Sequence, residues 1–200
     1  MLNSTNRIIS LFFLFFLCGV ISAQSEIEQE RYLDAQMKKY RNSSSYRHVS
    51  VLGCNLGNTY GVFCENLKKM GYQLIKGEYG YVWLGKLSNK TVKVHINRCG
   101  KYIQTIHLEI LNKNKNDGLD MHKNTLSSLT NNYGKCSRKS GNYAYWFKNN
   151  VEITLSFDTW ENTVWVEYED LIYKKWIKEF NDKYKKQKNE KERNVLEKML

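Results

Sequence analysis

Proline is absent from this 200-residue chain, which excludes polyproline segments and proline-stiffened linkers. Long apolar runs are equally scarce. The longest, Ile8 to Val20, would span only about 20 Å as a helix, short of a ~30 Å hydrocarbon core. No Cys-x-x-Cys pair and no Cys–His cluster occurs, so a structural zinc knot is excluded, and no metal or other cofactor is expected. No Gly-x-Ser-x-Gly elbow is present either. Arginine is sparse beside lysine, and phosphate or base recognition favours arginine's planar fork, so nucleic acid is not an expected partner.

What is present begins with Arg7, the apolar run and the small pair Ser22-Ala23. These read as a signal peptide over 1–23, cut before Gln24, and place the product in the periplasm, at the cell surface or outside the cell. A lipidated Cys18 is the alternative, disfavoured by the bulky Phe16-Leu17 before it. About 177 residues then remain, enough for one core and with no membrane-spanning segment. The formal net charge of +11 suits acidic partners or simply keeps the domain soluble. Outside the leader the cysteines are Cys54, Cys64, Cys99 and Cys136. An even count in an oxidising compartment predicts two disulfides of undetermined pairing, with buried free thiols as the alternative.

Residues 24–45 read as a flexible arm, with a thin apolar stripe at Leu33, Met37 and Tyr40. The folded body is expected over 46–188, and 189–200 as a helix end or frayed tail. Tyr46 to Leu52 reads as a strand. A helix capped by Asn58 or Thr59 follows, with Val62, Phe63, Leu67 and Met70 at helical spacing and Gly71 as its stop. Four strands then alternate through Leu111, turning at Gly77-Glu78 and around Gly100. A polar loop over 112–120 leads to a second helix over 121–133, and three strands occupy 143–148, 151–157 and 163–169. Asn149-Asn150 suits a two-residue hairpin turn. Asp170 caps a long C-terminal helix with Tyr173, Trp176, Ile177, Phe180 and Tyr184 on one side. The predicted fold class is α+β: tandem helix-plus-antiparallel-meander repeats forming one sheet backed by helices.

GCNLGNTYGVFCENLKKMGY and LTNNYGKC carry a resemblance. Leu52-Gly53, Leu56-Gly57, Phe63, Leu67, Gly71-Tyr72 and Tyr133-Gly134-Lys135 resemble the punctuation of an uncharacterised family of small exported proteins of Bacteroides-type bacteria. The repeat is also similar in outline to the β-lactamase-inhibitor-protein and outer-membrane-assembly-lipoprotein folds. The family usually has a proline near the position of Cys136. The resemblance implies fold and export, and brings no catalytic residues.

Chemistry is thinly signalled. With Gly100 at the centre of its turn, His95 faces Thr105 and His107 faces Lys93, a diagonal pair without a third metal donor. Cys64, on the apolar side of its helix, is a weak nucleophile candidate. Glu152 and Glu167 share the outward face of adjacent strands in the style of a glycosidase pair. The aromatics say more. Trp165 points away from Val164 and Val166, and Trp160 sits in a loop. Trp146 joins Ile153 in the core if the Asn149-Asn150 turn has two residues, and faces outward if it has three. Trp160, Trp165 and Trp146 are the candidate binding residues, with burial under the C-terminal helix as the competing reading. The function these features predict is a non-enzymatic exported binding or interaction module for an envelope or extracellular protein or a glycan. A periplasmic inhibitor or envelope-assembly accessory is the alternative, and a small hydrolase the third reading.

Overall fold

The computed structural model describes residues 27–40, 49–78 and 80–199. The segment expected as a signal peptide, Cys18, and residues 24–26 and 41–48 of the expected arm and first strand lie outside the described residues. The elements run in the order α1 (27–40), β1 (Ser50–Val51), β2 (Cys54–Asn55), α2 (Tyr60–Lys69), β3 (Gln73–Gly77), β4 (Gly80–Leu87), β5 (Lys90–Cys99), β6 (Tyr102–Leu111), α3 (Lys115–Tyr133), β7 (Arg138–Ser140), β8 (Tyr143–Lys148), β9 (Val151–Asp158), β10 (Thr163–Asp170) and α4 (Leu171–Met199). The chain forms two compact units. One holds the sheet and ends at Lys175, while the other holds α1 and α4 from Trp176 onward.

In the first unit, β3–β6 and β7–β10 are two antiparallel meanders fused into one eight-stranded sheet of order β3-β4-β5-β6-β10-β9-β8-β7. The fourth strand of each meander pairs antiparallel with the fourth strand of the other, Val164 opposite Ile110 and Val166 opposite Leu108. Each meander is preceded by its own helix, and the strand order runs outward from the β6–β10 pair in the same sequence on both sides. Strict alternation makes one face apolar. Val92, Val94, Ile106, Leu108, Ile153, Leu155, Val164 and Val166 form its core with Phe63 and Leu67 of α2 and Leu129 of α3. Val62 and Met70, expected on the same face of α2, are half exposed.

Local chemistry accounts for most boundaries. Asn149 and Asn150 both take positive φ (51° and 66°), the pair of left-handed residues that a two-residue hairpin turn requires. Trp146 therefore falls opposite Ile153 on the core face. Asn114, rather than a later residue, caps α3: its side chain accepts from the Asp117 amide at 3.0 Å, so most of the polar loop expected over 112–120 is helix. Thr59 occupies the N-cap of α2 without a side-chain bond. The entry is held instead by the Tyr60 amide donating to the Lys101 carbonyl. Asp170 accepts from the Ile172 amide at 3.0 Å and caps α4 as expected. The strand expected over 46–52 is reduced among the described residues to β1, paired with β2. β7, with three exposed residues and no apolar alternation, is legible only from its pairing with β8.

In the second unit the N-terminal segment is a helix with Leu33 and Met37 buried. Tyr32 packs on Phe180 with ring centroids 5.6 Å apart and Tyr40 on Trp176 at 5.8 Å, and the Tyr32 hydroxyl donates to Glu179 at 3.1 Å. The segment is thus a packed helix rather than a flexible arm. Within α4, Tyr173 stacks on Tyr102 of β6, and from Trp176 onward the helix groups with α1, Trp176 on Tyr40 and Phe180 on Tyr32. The helix continues to Met199.

Candidate functional site

The face of the sheet opposite the core is polar, and the β9–β10 turn rises at one end of it. Asp158 accepts from the amides of Trp160 (2.8 Å) and Glu161 (3.2 Å), an Asx turn that fixes the loop. The Asn162 carbonyl accepts from the Asn112 side chain at 3.0 Å, and the Phe157 carbonyl accepts from Asn142 at 3.3 Å. The turn is therefore pinned from both sides, yet the Trp160 that it carries is 94% exposed. Beside it lies a groove of about 390 Å³, within the range of small-ligand sites. Trp165 and Ser156, cross-strand partners, lie together in its lining. Half-exposed Tyr143 and the polar side chains of Asn142 and Asp158 complete it, with no lysine or arginine in the wall.

Two of the three candidate tryptophans are thus brought together and the third is not. Trp146 is a core residue, 1% exposed, whose indole donates to the Gly134 carbonyl at 2.9 Å and so ties β8 to the end of α3. It is withdrawn from the binding set. Tyr143, Asn142, Ser156 and Asp158 were not singled out from sequence. Strand parity placed Tyr143 and Ser156 on the outward face, and Asp158 two residues before Trp160 is the Asx-turn signal.

The histidines stand differently from expectation. The turn takes two residues, Gly100 and Lys101, so Cys99 pairs with Tyr102, and a β-bulge at Asn97/Arg98 adds a second step of register; together they set His95 directly opposite His107 and Lys93 opposite Glu109. Glu109, nearly buried, receives Lys93 at 2.7 Å and His95 at 3.0 Å. Burial holds the His107 imidazole below its usual pKa, while Glu167, 3.7 Å away, pulls it up. Among the described residues no group of three or more His, Cys, Asp or Glu side chains is placed to hold a metal ion. Glu152 faces Glu169, and Glu167 faces Thr154. Glu169 is ion-paired with Lys174 at 2.9 Å, and Glu152 and Glu167 stand on adjacent strands of one sheet rather than on opposed walls of a cleft.

Cys54, Cys64, Cys99 and Cys136 are free thiols, which corrects the expected disulfides. Cys54 and Cys99 are buried, and burial raises both thiols above the usual value. The Cys54 sulfur accepts from the Asn66 amide at 3.0 Å. Cys64 and Cys136 pack against the core. Cys64 has no imidazole on its helix: His95 and His107 are on the polar sheet face, and His122 on α3 packs against Phe157. No described helix is long and apolar enough to cross a membrane. No protein family, curated protein or solved structure matches the chain.

Proposed function

We propose that the protein is an exported, non-catalytic binding module that takes an uncharged saccharide in the groove between Trp160, Trp165 and Tyr143. The observation that carries this reading is a fully exposed indole on a turn held by four hydrogen bonds. Folding gains nothing from such a side chain, whereas a ligand that stacks on it gains apolar contact without ordering a loop. A sugar ring offers apolar C–H faces to aromatics and hydroxyls at its edges to groups such as Asn142, Ser156 and Asp158. The absence of cationic side chains from the wall favours neutral over anionic glycans.

A neutral-glycan panel read by calorimetry and tryptophan fluorescence tests this. Trp160→Ala should lower affinity at least tenfold while leaving the melting temperature within about 1 °C, because the residue is exposed and makes no core contact. Unchanged glycan affinity in Trp160→Ala, or no glycan bound by the native chain, sinks the reading. A single stoichiometric envelope protein retained through Trp160 would move the assignment to an accessory or inhibitor.

A further inference from the structure

A second concavity lies over the β6–β10 seam, on the face opposite the aromatic groove. α3 lies over β9 and its neighbours β8 and β10, and the middle of the sheet is left with a cleft of about 500 Å³. Leu108, Ile110 and Val166 are its floor, with Val51 and Leu87 at its sides. The α3 wall is unusual for a helix packed on a sheet. Thr125 is half-buried along the stripe with Met121, Leu129 and Tyr133, and exposed Asn124, Ser128 and Asn132 form the rim. Leucines at these positions would close the space, as close-packed interiors do. Small hydroxyl and amide side chains leave it open above an apolar floor.

Charge is missing from this cleft altogether. Charged residues are 26% of the chain, and none lines it. Its other polar side chains are all uncharged: Ser50, Ser88, and Tyr133 and Tyr168, whose phenols burial raises above the usual pKa, so both remain neutral donors at physiological pH. We infer that the seam cleft is a second binding site, for an uncharged amphiphile with an aliphatic body against Leu108, Ile110 and Val166 and a hydroxyl- or amide-bearing head at the α3 rim. An anionic head would find no cation in the wall, and a cationic head no carboxylate. This site is independent of the saccharide reading and shares no lining residue with the groove.

The test uses the full chain with 1-monodecanoylglycerol below its micelle concentration, against decanoate of equal chain length at pH 8. The neutral lipid should bind with one-to-one stoichiometry and raise the melting temperature, and decanoate should bind at least tenfold more weakly. Thr125→Leu, which fills the cleft, and Ser128→Phe, which plugs its mouth from an exposed position, should each cut affinity at least tenfold in proteins with native circular dichroism. Trp160→Ala should bind the lipid normally, which separates failure here from failure of the saccharide site. Decanoate binding as tightly as the neutral lipid would assign the interaction to the basic surface and overturn the inference. So would affinity unchanged by both cleft variants, or no binding at all.

Discussion

Asp170 closes β10 and caps α4 with one side chain, and it does so 5% exposed. Burial raises its carboxyl from 3.8 to about 6, opposed in part by the Ile172 amide. A folded-state pKa above the unfolded one means that the group supports folding below pH 4 and loses that support as pH rises through about 6. Asp170→Asn keeps an acceptor for the cap and removes the buried charge. Its stability relative to the native chain should climb between pH 4 and 7, by up to about 3 kcal/mol, in melting curves taken across that range. A difference flat with pH would show that this carboxyl does not titrate there. His107 and His122, both lowered chiefly by burial, weaken the acid side of both proteins and cancel in the comparison. At this scale the sequence was legible where a residue's own chemistry decides its place: Asp170 as a cap, Asn149-Asn150 as a turn. It was ambiguous for Trp146, whose side of the sheet depends on the length of a neighbouring turn. The cysteines left disulfides and buried free thiols both open, because an even count says nothing about where the folded chain carries each sulfur.

Elements were legible when their signal was periodic and local. The long strands and α2 follow from alternation and helical spacing. The start of α3 did not, because Gly118 reads as a loop residue. In the structure it is a buried helical position against Phe157, where an added Cβ would stand 2.4 Å from the ring and 3.3 Å from the Asn162 carbonyl. Alanine would gain about 1 kcal/mol of helix propensity, but the ring is 4% exposed and flanked by His122, so it has little room to retreat. Overpacking of about 1–3 kcal/mol should prevail. Gly118→Ala is expected to lower the melting temperature by several degrees. A neutral or stabilising effect in thermal unfolding would show that Phe157 moves freely. The Asn97/Arg98 bulge was equally hidden, since no glycine or proline marks it. Its one residue of register, added to the one from a turn centred between Gly100 and Lys101 rather than on Gly100, turned a diagonal histidine pair into a direct one and gave Lys93 to Glu109. The pairing of α1 with α4 joins segments at opposite ends of the chain, which no local pattern reports.

For the whole molecule, the fusion of two half-sheets was readable because neither half can hide its apolar face alone. The continuous pairing of β6 with β10 predicts one cooperative body for the sheet. Native-state hydrogen exchange should find the slowest amides around Ile106, Leu108, Val164 and Val166, with those of the edge strands β3 and β7 faster by about two orders of magnitude or more. Separate denaturant transitions for the two meanders would contradict it. The seam also has a consequence in time. β10 meets β6 across more than fifty residues of chain, and it is among the last strands to leave the ribosome. Until then the first meander carries an open edge, with its backbone donors and acceptors available to any other extended chain. A nascent chain stalled before Thr163 is therefore the form of this protein most exposed to sticking to its neighbours.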